Sequence, residues 1–172
     1  AYTVEFRSAL ELIEPKGVFG ENRFALNELT VQKRDNSSMI TIETSINNQF
    51  LANYWADGMI VATPTGSTAY SLSVGGPIMT PQLRGLLLTP IASHLLTVRP
   101  IVVPEDVEIQ LKIMGRGQQF MVSVDHHSAL LDFDTILRIR VCEYKLPVIR
   151  LSGHNFYKTL RNKLMWGLDR RN

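Results

Sequence analysis

Residues 107–113 carry apolar side chains at every second position, Val107, Ile109, Leu111 and Ile113, with Glu108, Gln110 and Lys112 between them. Ile40 and Ile42 alternate in the same way with Thr41 and Glu43. Leu137, Ile139 and Val141 alternate with Arg138, Arg140 and Cys142. A period of two marks a strand with one face in a core and one in water. Turn signals separate the runs. Asp35-Asn36-Ser37-Ser38 links a strand near 24–34 to one near 39–46. Asn47-Asn48 suits a tight hairpin, because Asn tolerates left-handed backbone angles, and Gly115-Arg116-Gly117 is expected to close another. Short strands at this spacing predict a mainly β chain folded as a two-sheet sandwich or a folded sheet.

Two helices break the pattern. A short one is expected to begin near 65–67 and to stop before Gly75-Gly76-Pro77. A second runs over about 154–166, with Phe156, Leu160, Leu164 and Met165 on its apolar face and Lys158, Arg161 and Lys163 in water, and Gly167 as its stop. The three prolines Pro77, Pro81 and Pro90 mark 77–90 as a connection with a short helical turn near 81–87. No internal repeat and no low-complexity linker is visible, so residues 1–172 read as one domain.

Residues 56–77 carry the chemistry. Asp57-Gly58 is an acidic turn, residues 59–62 (Met-Ile-Val-Ala) read as a buried strand, and a loop of hydroxyl-bearing residues (Thr63, Thr65, Ser67, Thr68) around Gly66 runs into the short helix. Free N–H groups at a helix start favour anions, and Gly66 permits close approach of a ligand to the backbone. Asp57, at the opposite end of the strand or beside it, can accept hydrogen bonds from ribose hydroxyls. These devices together suit a nucleotide.

The block from Asp57-Gly58 through Thr63-Pro64-Thr65-Gly66-Ser67-Thr68-Ala69-Tyr70 to Gly75-Gly76-Pro77 resembles the signature of NAD kinases. Asn27-Glu28 upstream resembles that family's Asn-Glu motif. Ile91-Ala92-Ser93-His94-Leu95, the stretch 98–104, and Asp125 within 122–127 follow in the family's order. The resemblance implies an all-β C-terminal domain in which NAD is bound and subunits pair. It implies an activity for the whole enzyme: transfer of a phosphoryl group from ATP, with a divalent metal such as Mg, to the 2′-hydroxyl of the adenosine ribose of NAD, giving NADP. The family's Gly-Gly-Asp-Gly motif, which carries the catalytic aspartate, does not occur in these 172 residues. The chain is therefore expected to be the C-terminal domain alone, with no catalytic residue or metal of its own, reaching ATP through an N-terminal domain.

By the same resemblance, Asn27 and Glu28 contact the adenosine end of NAD, a carboxylate being suited to vicinal ribose hydroxyls. Asp57 takes the nicotinamide-side ribose, within its own subunit or across a subunit boundary. Thr68, Ala69, Tyr70 and Ser73 line the dinucleotide. Trp55, Thr65, Asp125 and His127 are further candidates. Each has a plainer reading: a polar turn at 27–28, an Asp-Gly turn at 57, helix-capping hydroxyls at 68 and 73, a core-edge ring at Tyr70 and Trp55, a satisfied turn at 125–127. Adjacent His126 and His127 would point to opposite faces of a strand and so make a poor metal pair. His94 and His154 read as structural or solvated, and Arg161, Lys163, Arg170 and Arg171 as a solvated basic tail.

A formal net charge of +2 gives no pull toward nucleic acid or an anionic membrane. The lone Cys142 excludes an internal disulfide. No signal sequence or bilayer-length apolar run is legible, so a cytoplasmic protein is expected; the resemblance implies a homo-oligomer, dimer or tetramer. A freestanding NAD or NADP sensor is the alternative. A lipid kinase ranks lower, since it is not expected to share both motifs. A serine hydrolase ranks lowest, because Thr65 and Ala69 stand where a nucleophile elbow needs glycine.

Overall fold

The computed structural model describes residues 1–34, 38–153 and 155–167. The expected sandwich is present. Its strands are β1 (Tyr2–Arg7), β2 (Leu10–Glu14), β3 (Phe24–Ala25), β4 (Glu28–Lys33), β5 (Ile40–Ile46), β6 (Gln49–Ala56), β7 (Gly58–Ala62), β8 (Gly85–Ile91), β9 (Ile101–Pro104), β10 (Ile109–Met114), β11 (Gln119–Val124), β12 (His127–Asp132), β13 (Ile136–Val141) and β14 (Leu146–Leu151). One six-stranded sheet runs β3-β2-β13-β10-β5-β6, the other β12-β11-β4-β7-β8-β9, and β1 pairs with β14 as a separate ribbon. All pairings are antiparallel.

The core lies between the two large sheets. Ile42, Ile109, Leu111, Leu137 and Ile139 of one sheet meet Leu29, Val31, Val61, Leu88, Phe120 and Val122 of the other. These are the inward members of the alternating runs. A smaller cluster of Ile60, Ala62, Met79 and Leu87 covers the outer face of the second sheet. Strand β7 is thereby buried on both faces, which accounts for its uninterrupted apolar sequence.

The Asn47-Asn48 hairpin forms between β5 and β6, with φ of 50° and 62°. Gly115-Arg116-Gly117 does not close a hairpin. Strand β10 pairs with β5 and β13, and β11 with β4 and β12, so this segment carries the chain from one sheet to the other. The alternation is alike on both strands and cannot distinguish the two connections.

The helical turn expected near 81–87 is absent: a turn at 81–82 leads into β8, whose residues 85–90 are buried. The run Leu86-Leu87-Leu88 is apolar because both of its faces are covered. Pro90 is tolerated because the pairing of β8 with β9 covers only residues 85–88, so no partner on that side requires its missing N–H. The strand expected over 24–34 is split at Leu26-Asn27, where the chain crosses between sheets.

The helix after the hydroxyl loop is a 3₁₀ turn (Gly66–Thr68) followed by a single α turn, α1 (Tyr70–Ser73). Helix α2 (Phe156–Leu164) starts at Asn155, whose side chain accepts from the Lys158 N–H, and ends at Met165 with φ of 52°, two residues before the expected glycine. Phe156 and Leu160 are half-buried, whereas Leu164, Met165 and Trp166 are exposed. Residues 35–37, His154, Arg170 and Arg171, which carried readings above, lie outside the described residues.

Phe120 sits fully buried where the sheets meet, its ring 5.9 Å from that of Phe133. Phe120→Ala is expected to cost about 3–5 kcal/mol in urea unfolding. A loss below about 1 kcal/mol would contradict this packing.

Candidate functional site

Because β4 and β7 are antiparallel neighbours, Glu28 lies opposite Ala62 and Gln32 opposite Gly58. The start of β4, the end of β7 and the β11–β12 turn therefore converge at one end of the sandwich. Asp125 occupies that turn with φ of 49°, a conformation Asp tolerates better than most residues. Its carboxylate accepts three backbone N–H groups: Leu26 at 2.7 Å, Asn27 at 3.0 Å and Glu28 at 3.1 Å. In return the Asp125 N–H donates to the Glu28 carbonyl at 3.0 Å. The Asn27-Glu28 crossing is stapled into one shape.

The hydroxyl loop packs on that crossing. The Thr63 N–H donates to the Asn27 carbonyl at 2.9 Å and the Thr63 hydroxyl to the Leu26 carbonyl at 2.6 Å. Gly66 stands so close to Asn27 that a Cβ there would lie 2.0 Å from its carbonyl oxygen. The close approach at Gly66 is thus made by the protein's own backbone rather than by a ligand. The helix-start N–H groups are likewise engaged inside the loop. Gly66 donates to the Thr63 hydroxyl at 3.1 Å, and Ser67 to the Thr63 carbonyl at 3.0 Å. Ser67, fully buried, donates its hydroxyl to the Pro64 carbonyl at 2.7 Å and accepts the Met79 N–H at 2.9 Å. These bonds make the loop a rigid wall and leave Gly66 and Ser67 no N–H to offer an anion.

Tyr70 covers the outer face of β4. The Tyr70 backbone N–H hydrogen-bonds the Glu28 carboxylate, and its hydroxyl accepts from Gln32 Nε2 at 3.0 Å. Glu28 and Gln32 are four residues apart and share a strand face, so the ring lies along the strand. Glu28 Oε2 is buried with no hydrogen-bond partner. Burial, followed by the nearby Asp125 carboxylate, pushes the Glu28 carboxyl up to about 7, with the Tyr70 N–H opposing the shift. Thr68 and Ser73 are exposed beside this group and Ala69 is half-buried. Thr65 and Thr68 also line a cavity of about 520 Å³ whose other side is formed by the β1–β14 ribbon and α2.

Asp57 and Trp55 belong to a second cluster at the far end of β7. Five residues of strand separate the two clusters, roughly 17 Å. Asp57 pairs with Lys33 Nζ at 2.7 Å. The exposed Trp55 ring lies 5.6 Å from the His94 ring. Arg116 shares their cavity of about 490 Å³. His126 and His127 have ring centroids 4.1 Å apart, since His126 belongs to the turn rather than the strand. Among the described residues no group of three or more His, Cys, Asp or Glu is placed to hold a metal ion.

Gln32 and Lys33 were not singled out from sequence. The period-two spacing from Glu28 through Thr30 to Gln32 carried a signal for the first. The Lys33–Asp57 pair depends on strand register, which no local pattern reveals.

The architecture is an antiparallel β-sandwich with an Asp-stapled Asn-Glu turn packed against a rigid Thr-Gly-Ser loop. The chain belongs to the ATP-NAD kinase C-terminal domain family, whose model matches residues 26–151. An NAD kinase of Flavobacterium johnsoniae is 50% identical over 173 residues, covering 99% of this chain and 59% of that protein. An NAD kinase of Cytophaga hutchinsonii is 45% identical over 172 residues, covering 100% of this chain and 59% of that protein. The chain thus spans about three-fifths of the length of these curated relatives. A yeast NADH kinase crystallised with NADH superposes with a TM-score of 0.85 at 26% identity, over 96% of this chain and 50% of that one. An NAD kinase from Archaeoglobus fulgidus in complex with ATP gives 0.78 at 27% identity, over 94% and 60%.

Gly66→Ala is expected to destabilise by about 3 kcal/mol in thermal unfolding, because the Asn27 backbone cannot yield to the added methyl; a neutral result would contradict the loop packing. Glu28 takes up its proton more readily folded than unfolded, so its contribution to stability is complete below about pH 4.5 and is lost as pH rises through about 7. Glu28→Gln is therefore expected to gain stability over wild type, of order 1 kcal/mol, at pH 8 but not at pH 4, the linkage being discounted for partial solvent access. A pH-independent difference in melting temperature would contradict the shift.

Proposed function

We propose that this chain is the dinucleotide-binding part of an NAD kinase. The observation that carries the reading is the buried, unpartnered Oε2 of Glu28, held beside Asn27 by the Asp125 staple. A ribose presents two vicinal hydroxyl donors, and a carboxylate with a free oxygen is the matching acceptor. Asn27 supplies an amide for the base or sugar. Thr68, Ala69, Tyr70 and Ser73 form the adjoining wall, with the Tyr70 ring as a stacking surface. Asp125, already accepting three N–H groups, positions the turn rather than touching the ligand. Thr65 and His127 flank the same end of the sandwich.

Asp57 and Trp55 stand about 17 Å away along β7. In this reading they meet the nicotinamide-side ribose of a dinucleotide bound to a neighbouring copy, which calls for a homo-oligomer. The whole enzyme transfers the γ-phosphoryl of ATP to the 2′-hydroxyl of the adenosine ribose of NAD. That chemistry requires alignment of donor and acceptor more than covalent assistance. In this reading a divalent metal would be held with the triphosphate, and this chain's part is to bind and orient NAD. A cytoplasmic location accords with these substrates; no described helix is long and apolar enough to cross a membrane.

The complete protein is expected to form NADP from NAD and ATP in a coupled assay, while the 172-residue chain alone gives none; robust turnover by the isolated chain would overturn the division of labour. Asp57→Asn in the complete protein is expected to raise the Kd for NAD at least tenfold. The melting temperature should change little, because the Lys33 pair is partly exposed and worth about 1 kcal/mol or less. A large stability loss with unchanged affinity would make Asp57 structural.

A further inference from the structure

Among the described residues Glu105 is the one buried charged side chain. Its partners come from three distant parts of the chain. Ser8 donates its hydroxyl to Oε2 at 2.8 Å, Arg84 Nε lies 2.7 Å from Oε1, and Lys145 Nζ lies 3.5 Å from Oε1. Ser8 is the residue after β1, and Lys145 is the residue before β14. These are the two points at which the β1–β14 ribbon joins the sandwich. Strands β2 and β13 pair within the large sheet and β1 and β14 pair with each other, so the two ladders are consecutive stretches of one strand pair. They are interrupted at 8–9 and 142–145, where the Cys142 N–H still donates to the Ala9 carbonyl at 2.7 Å. Glu105 reaches this break in the ladder from the turn after β9.

The ribbon is one wall of the 520 Å³ cavity, through Glu5, Arg7, Ile149 and Arg150; Thr65 and Thr68 stand on the opposite wall. The width of this cleft depends on the angle of the ribbon. A rigid loop wall leaves the ribbon as the wall able to move, since among its strand pairings it has only its own two strands.

We infer that Glu105 is a hinge clamp, a positioning residue that fixes the ribbon against the hydroxyl loop by gripping both hinge strands and so sets dinucleotide affinity from outside the site. A carboxylate suits this task. It accepts from a hydroxyl and from cations at the same time, and its burial makes an unpartnered state costly, so the grip is held unless a partner is removed. The inference rests on the NAD-binding reading for its effect on affinity, but not for its effect on the ribbon.

Hydrogen exchange and NAD titration of the complete protein test it. Lys145→Met, at an exposed position, and Ser8→Ala, at a half-buried one, each remove one hinge contact, leaving the Arg84 pair to keep Glu105 satisfied. Each is expected to speed exchange of ribbon amides in 3–7 and 148–151 at least fivefold, with β4, β7 and β8 unchanged, and to raise the Kd for NAD several-fold. Glu105→Gln should do the same more strongly. Combined with Lys145→Met it should add little to ribbon exchange, because both remove the same contact. Unchanged ribbon exchange, or faster exchange spread equally over the sandwich, overturns the clamp. Faster ribbon exchange with wild-type NAD affinity overturns its control of the cleft. Wild-type protein that fails to bind NAD defeats the function proposed above and leaves the ribbon readout standing as a separate result.

Discussion

Three backbone N–H groups pointing at one carboxylate hold the candidate site together. Without Asp125, the crossing from β3 to β4 would leave Leu26, Asn27 and Glu28 with donors that no strand can pair. Each buried donor left unmet costs roughly 1–3 kcal/mol, so the crossing adopts the shape that the carboxylate dictates. That shape presents the Asn27 carbonyl to Thr63 and admits Gly66 against the Asn27 backbone. The loop, the turn and the Tyr70 shelf follow in sequence. The staple also carries an electrostatic consequence, since its negative charge next to Glu28 helps hold that carboxyl near neutrality.

Strand β7 acts as a ruler between two ends of the sandwich. Its burial on both faces fixes its position, and its five residues keep the Glu28 cluster and the Asp57 cluster apart. The two clusters differ in character. At one end an acceptor is buried and unpaired; at the other, Asp57 is matched by Lys33 and flanked by aromatic rings. The Glu105 hinge gives this arrangement a movable counterpart, because the ribbon faces the loop across a cleft that the sandwich alone does not close.

Much of this was legible in the chain, for reasons that differ by element. Alternation located β5, β10 and β13 because each has one wet face, and β7 was readable as a short run buried on both sides. The same logic failed at 85–91, where Pro90 disguised a strand whose edge partner ends two residues earlier. It failed again at 115–117, because a glycine turn looks alike whether it joins paired strands or crosses between sheets. Of the residues that local order grouped, Asn27, Glu28, Thr68 and Tyr70 lie at one end of the sandwich, and Asp57 lies at the other end of β7. It could not reveal that Asp125 faces backbone N–H groups, that Gly66 makes room for Asn27, or that Glu105 joins residues 8, 84 and 145. Those contacts depend on register between distant strands, which no short window encodes.

The account stands on Glu28 as the acceptor for a dinucleotide ribose. A crystal structure of the complete protein with NAD tests this directly. The account predicts ribose hydroxyl oxygens within about 2.5–3.0 Å of the Glu28 carboxylate, with Asp125 still holding its three N–H groups. Well-ordered NAD bound away from the 27–28 turn, with Glu28 Oε2 still unpartnered, would contradict it.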